Sequence, residues 1–273
     1  MAKKELNEMS FLDHLEELRW LLVRSSAAIV IMGIVSYFFA DYIFSDLIFG
    51  PTDPSFITYR FFCEASHYLG FADSICITEL NFIIQNTQME GQVNIFVWVC
   101  ITAGFILAFP YILWELWKFI SPALYEKEKK NAKLFIFVAS ILFFFGVLFG
   151  YFVIVPMSVN FLATFSISSV VKNQFSIDSY VSMVKTAVIA CGLYFELPII
   201  IYFLTKLGLV GPNFLRKYRK YAVVIILIIA AIVTPPDVVS QITVAVPMMI
   251  IYEGCIWISA VVEKNKKKDE QTS

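Results

Sequence analysis

Apolar residues in this chain come in blocks of about 20 separated by polar seams, not at the two-residue spacing of half-buried strands. The run "LFIFVASILFFFGVLFGYFVIV" shows none of the alternation that a barrel strand requires. Six such blocks predict six membrane-spanning helices, over residues 20–40, 93–117, 134–157, 180–204, 221–234 and 242–262. The fifth is short: about 14 residues between Lys220 and Pro235 give about 21 Å of helix, against a hydrocarbon core of about 30 Å. Paired prolines in "TPPD" force a tight turn after it, and Pro110 and Pro198 bend the second and fourth spans. The fold class is therefore an all-α polytopic membrane protein. It reads as one membrane domain over 1–273, with an amphipathic segment at 1–19 and a polar tail at 263–273 that is expected to be disordered.

Composition agrees with that picture. Of the 273 residues 59% are hydrophobic and 16% charged, where soluble domains carry about 25% charge. Charge placement adds an orientation. Lys3, Lys4, Arg19 and Arg24, then Lys118, Lys127, Lys129, Lys130 and Lys133, then Lys206, Arg216, Lys217, Arg219 and Lys220, and finally Lys264, Lys266, Lys267 and Lys268 all fall on one side. The other side holds Arg60 and Lys172, with Lys185 inside the fourth span. By the positive-inside rule both termini are expected to be cytoplasmic. The charged opening "MAKKELNEMSFLDHLEELR" carries no sign of a cleavable signal peptide.

Candidate chemistry is sparse. His14 and His67 fall on opposite sides, and no P-loop, HExxH or clustered ligand set appears, so neither an enzyme nor a metal or other cofactor is expected. Cys63 and Cys76, in the long first outside segment, are the candidates for a disulfide, whose 14-residue loop would contribute about 3 kcal/mol. Cys100, Cys191 and Cys255 lie within spans and read as packing. What remains is carboxylates in unusual places. In "SFLDHLEELRWLL", Phe11, Leu15, Leu18 and Leu22 share one helical face and Asp13, Glu16, Glu17 and Trp20 the other, which reads as an interfacial anchor with a solvated acidic side. In "FPYILWELWKFISPALYEKEKKNAK", Glu126 and Glu128 stand in a cationic loop. Glu196 lies ten residues, or about 15 Å, before Lys206 and hence near the bilayer midplane, where an acid costs about 2.5–3.5 kcal/mol. Such a residue is paired, protonated or facing a hydrated hollow. A cluster with Glu253, an interhelical packing bond, and a proton relay of Glu196, Glu253 and Lys185 in a secondary transporter all remain open at this point.

Taken together, "FLDHLEELRWLL", "FPYILWELWKFISPALYEKEKK", "GYFVIVPMSVNFL", "FELP" and "TPPDVVSQITVAVPMMIIYEG", in order on a six-span frame, resemble the TatC family. That resemblance implies a receptor subunit that binds twin-arginine signal peptides of folded cargo at the cytoplasmic side of the inner membrane. It implies recruitment of TatA/TatB-type single-span subunits, assembly with further copies of itself among membrane lipid, and transport driven by the proton motive force, with no nucleic acid involved. Glu17, Arg19, Phe119 and Glu128 match the family's peptide-docking positions, and Glu196 its mid-membrane acid for partner helices. Pro51, Pro110, Tyr151 and Asp237 match motif positions of structural character. Two guanidiniums call for two carboxylates, since each planar fork pairs bidentately with one acid. The first outside loop is longer than the family pattern, and Lys185 matches no functional position.

Overall fold

The computed structural model describes residues 11–68, 80, 82–121, 132–168, 172–234 and 238–272. Its helices are α1 (Phe11–Phe38), α2 (Ile57–Tyr68), α3 (Gly91–Ile120), α4 (Ala132–Phe149), α5 (Val155–Thr164), α6 (Ile177–Tyr194), α7 (Leu197–Lys206), α8 (Pro212–Lys217), α9 (Arg219–Val233) and α10 (Val238–Thr272). Among the described residues, five stretches are long and apolar enough to cross a membrane: Leu15–Phe38, Gly91–Ile120, Lys133–Thr164, Ile177–Lys206 and Gln241–Lys266. The other expected span is α9, a helix of 15 residues that stops where Thr234 turns extended at ψ 157 ahead of the two prolines. Apolar side chains point outward as lipid-facing positions do: Val30, Ile31, Ile34 and Phe38 of α1 are all more than half exposed.

Two features differ from the sequence expectation. A parallel pair of three-residue strands, β1 (Ile83–Gln85) and β2 (Gln174–Ser176), joins two segments otherwise outside the helices, with Ile83 opposite Gln174 and Gln85 opposite Ser176. Next to β2, the Asn173 amide donates to the carbonyls of Leu162, Ala163 and Phe165 at 3.0–3.1 Å, which satisfies the frayed end of α5. The second difference is the tail. Residues 263–272 continue α10 instead of being disordered. The apolar part of α10 already supplies the helix nucleus, and Glu, Lys and Gln are good helix formers that extend it.

The chain packs as two compact units, Met1–Ile43 with Val93–Ile141, and Phe44–Gln92 with Leu142–Ser273. In the first, contacts between α1 and α3 step in opposite directions: Arg24 meets Glu115, the Gly33 backbone lies against Gly104, and the Tyr37 ring meets Phe96 at 5.5 Å. The helices are therefore antiparallel. Gly104 sets how close they come, since a Cβ there would sit 2.6 Å from the Gly33 nitrogen and the Ile29 oxygen. Pro110 lies inside α3 without ending it.

In the second unit, hydroxyls satisfy carbonyls that irregular backbone leaves open. Pro156 has no N–H to offer the Phe152 carbonyl four residues back, and the Thr58 hydroxyl donates to it at 2.7 Å. Tyr59 donates to the carbonyls of Pro51 and Pro156 at 2.8 and 3.2 Å, and Tyr180 to that of Ile48 at 2.6 Å. Burial pushes the Tyr59 phenol well above its ordinary range, so it stays a donor. Pro51 is buried in a short 3₁₀ turn, Gly50–Thr52. Tyr151 sits in a π-helical stretch, Gly150–Ile154, with its ring 5.7 Å from Phe56 and its hydroxyl 3.4 Å from the Asp46 carbonyl.

Candidate functional site

Helical periodicity builds a cavity in the first unit. Glu17, Trp20, Leu21 and Arg24 recur at i, i+3, i+4 and i+7 on α1, while Glu115, Lys118 and Phe119 recur at i, i+3 and i+4 on α3. These seven residues line a space of about 250 Å³. Glu115 is its buried acid, 4% exposed, and two cations hold it. Lys118 Nζ donates to Oε1 at 2.7 Å from the same helix, and Arg24 Nη1 to Oε2 at 3.3 Å from across the helix pair. Glu17 is exposed at the rim, and Trp20, Leu21 and Phe119 supply apolar wall.

Two of the residues expected to dock a peptide, Glu17 and Phe119, are thus brought together. Arg19 is exposed on α1 and is not among the lining residues. Glu128 lies outside the described residues, as do Asp237 and Cys76. Glu16, Glu17 and Trp20, on the acidic face of the first helix, are exposed. Leu15, Leu18 and Leu22 are exposed as well, at 44%, 37% and 56%, while Glu17 and Arg24 also line the α1–α3 cavity. Lipid inverts the soluble pattern, because apolar side chains are at no disadvantage outside and polar ones gain partners inside. Sequence reasoning passed over Glu115. Its signal was a carboxylate in the apolar run "LWELW", the kind of intramembrane charge that asks for a named partner.

Glu196 belongs to the second unit. The fourth span breaks there: α6 ends at Tyr194, Phe195 and Glu196 form a turn, and α7 starts at Leu197 with Pro198 in its first turn. Backbone carbonyl Glu196 O accepts from Ile199 and Ile200, but the side chain caps nothing. The residue is 6% exposed, and its Oε1 has no hydrogen-bond partner among the described residues. Close packing of α4 and α6 surrounds this turn, since a Cβ on Gly146 would fall 2.6 Å from Cys191 O and 2.9 Å from Phe195 Cβ. The expected Glu196–Glu253 cluster is not formed. Arg219 takes Glu253 as a two-pronged pair, Nε to Oε1 at 2.7 Å and Nη2 to Oε2 at 2.8 Å. Lys185 has Asp178 as an opposite charge on its own helix.

Cys63 is disulfide-bonded, whereas Cys100, Cys191 and Cys255 are buried free thiols. No group of three or more His, Cys, Asp or Glu suited to a metal occurs among the described residues. A second space of about 560 Å³ in the second unit is lined by apolar residues together with Asp178, Ser179, Ser182, Thr186 and Thr234.

The family model for Sec-independent protein translocase protein (TatC) matches residues 13–247. The chain is 45% identical over 269 residues to the Sec-independent protein translocase protein TatC of Blattabacterium sp. subsp. Periplaneta americana, covering 97% of this chain and 100% of that one. It is 34% identical over 268 residues to TatCy of Bacillus subtilis, covering 98% and 95%. A crystal structure of the twin arginine translocase receptor TatC superposes with a TM-score of 0.71 at 31% identity, over 91% of this chain and 99% of that one. Its six-helix membrane fold places α9 as the short sixth crossing helix beside the five longer ones. Family model, whole-length sequence similarity and fold agree, so the chain belongs to the TatC family, the non-enzymatic receptor subunit of the twin-arginine translocase in Sec-independent protein export.

Proposed function

We propose that the first-unit cavity docks the paired arginines of twin-arginine signal peptides carried by folded cargo, on the cytoplasmic side of the inner membrane. The observation that carries this is the meeting of Glu17 and Phe119, about 100 residues apart in sequence, in one cavity that also holds a buried carboxylate. The peptide guanidiniums pair with carboxylates at this site, among them Glu17 and Glu128 of the family pattern, and Phe119 and Trp20 offer faces on which a guanidinium stacks. Arg19 positions the peptide's approach at the rim. Lysine lacks the planar fork, so a Lys–Lys peptide binds less well. Both termini face the cytoplasm, as the Lys and Arg distribution requires.

Glu196 serves the later step. Its unpartnered, buried oxygen accepts a hydrogen bond from a polar residue on the transmembrane helix of a TatA/TatB-type subunit. Further copies of this chain and membrane lipid complete the assembly, and the proton motive force supplies the energy.

The test is binding of a labelled twin-arginine signal peptide to the purified protein, beside a Lys–Lys peptide and the Glu17→Ala and Glu128→Ala variants. Tight binding that falls in each control supports docking by these acids, and equal binding throughout refutes it. For Glu196→Ala, peptide binding is expected to survive while export and co-purification of single-span subunits fall. Unchanged export and co-purification would remove that role.

A further inference from the structure

The charges of the first-unit cavity balance: Glu17 and Glu115 against Arg24 and Lys118. A balanced, partly buried site gains little by admitting two more positive charges unless one of its own cations leaves. The two held at Glu115 are not equivalent. Lys118 is three residues along the same helix and in short contact at 2.7 Å, so it stays with the acid through any movement of α1. Arg24 reaches over from α1 through one 3.3 Å contact, with 53% of its side chain exposed. Arg24 can therefore swing into solvent or headgroups without leaving a buried group stranded, whereas Glu115, 4% exposed, cannot do without a cation.

We propose that Glu115 is itself a guanidinium-reading carboxylate of the docking site, and that Arg24 is its internal placeholder, displaced by one arginine of the incoming pair. This rests on the docking function proposed above. Exchange of one guanidinium for another adds no charge at Glu115 and returns to it a partner of the shape it already holds. Lys118 keeps the carboxylate ionised and aimed. A peptide lysine at that position meets an acid that already has an ammonium and does not displace the resident guanidinium, so the placeholder yields to arginine alone. It also lowers apparent affinity, because the binding-competent fraction is that with Arg24 displaced.

The experiment uses the full-length protein in lipid nanodiscs and labelled signal peptides carrying Arg–Arg, Lys–Arg, Arg–Lys and Lys–Lys. Arg24→Gln is expected to bind the Arg–Arg peptide about three- to tenfold tighter and the Lys–Lys peptide little changed. Lys133→Gln, which removes an equal charge from α4 in the same unit, should show no such gain. Glu115→Gln is expected to weaken Arg–Arg binding about tenfold and to abolish discrimination at one of the two arginine positions. Arg24→Gln leaves Lys118 on Glu115, so it remains decisive if Glu115→Gln does not fold. No tightening in Arg24→Gln, equal tightening for Lys–Lys or for Lys133→Gln, or full discrimination retained by Glu115→Gln overturns the placeholder. In each of those cases a wild-type preference for Arg–Arg over Lys–Lys leaves the docking function standing. A wild type that binds all four peptides alike removes the docking function, and the placeholder with it.

Discussion

Glu115 and Glu196 are buried alike, at 4% and 6% exposed, in helices that cross the same membrane, and the fold treats them in opposite ways. Glu115 has a cation on each oxygen, one from its own helix and one from the helix packed against it. Glu196 sits in a turn forced by a proline, with one oxygen lacking any partner among the described residues. A carboxylate provided with two cations holds its charge and its aim in the isolated chain. One left open has an unmet acceptor and gains from any donor that reaches it. The first suits a site that discriminates among cations by exchange, and the second a site that waits for a helix.

The largest effect separating the two comes from removing the provision at Glu115. Arg24→Gln with Lys118→Gln strands a buried charge and should destabilise by about 3–5 kcal/mol, measured by thermal unfolding in detergent. Arg24→Gln alone should stay within about 1 kcal/mol, because Lys118 remains. An unchanged unfolding temperature in the double variant would mean that water reaches Glu115 and the contrast is not real.

The same isosteric swap at both acids sharpens the point. Glu115→Gln gives up charge-assisted bonds and should lose about 1.5–3 kcal/mol. Glu196→Gln gives up no described partner and removes the charge from a buried site, so its stability should hold or rise. Equal losses at the two positions would show that Glu196 is already satisfied within the chain. Below these lies a neutral example of provision. Thr58→Val removes the hydroxyl from the carbonyl that Pro156 leaves open and should destabilise by about 1–2 kcal/mol, seen as earlier unfolding with peptide binding unchanged.

Much of this was legible in the chain. Apolar blocks placed the five longer spans with ends off by up to seven residues, Lys220 and the paired prolines bounded the short α9, and an acid two residues before Pro198 marked the break in the fourth span. What could not be read was pairing across distance. Arg24 and Glu115 are 91 residues apart, and their meeting depends on the register fixed where Gly33 lies against Gly104. A count of positive charges assigns Arg24 to one membrane side and has no place for its partner. On the first helix, periodicity located the two faces, but nothing in the pattern says that Glu17 and Arg24 meet Glu115 and Phe119 of α3 around one cavity. Thr58 carries no sequence mark at all, since its role is set by an acceptor that a proline 98 positions later leaves open.

The smallest expected effect falls on the other carboxylate of the second unit. Glu253 has a bidentate partner in Arg219, yet both side chains are about half exposed, at 43% and 49%. Geometry of that quality would matter in a buried site, but with both groups this open the charges are largely solvated by whatever surrounds them. Arg219→Lys keeps the charge and loses the fork, so the change should be under about 1 kcal/mol. Unfolding of this variant beside Lys118→Gln separates exposure from geometry. If Arg219→Lys proves the costlier, then α9 and α10 carry the Glu253 pair in hydrocarbon, and provision of a partner, not burial within the chain, decides what an acid contributes here.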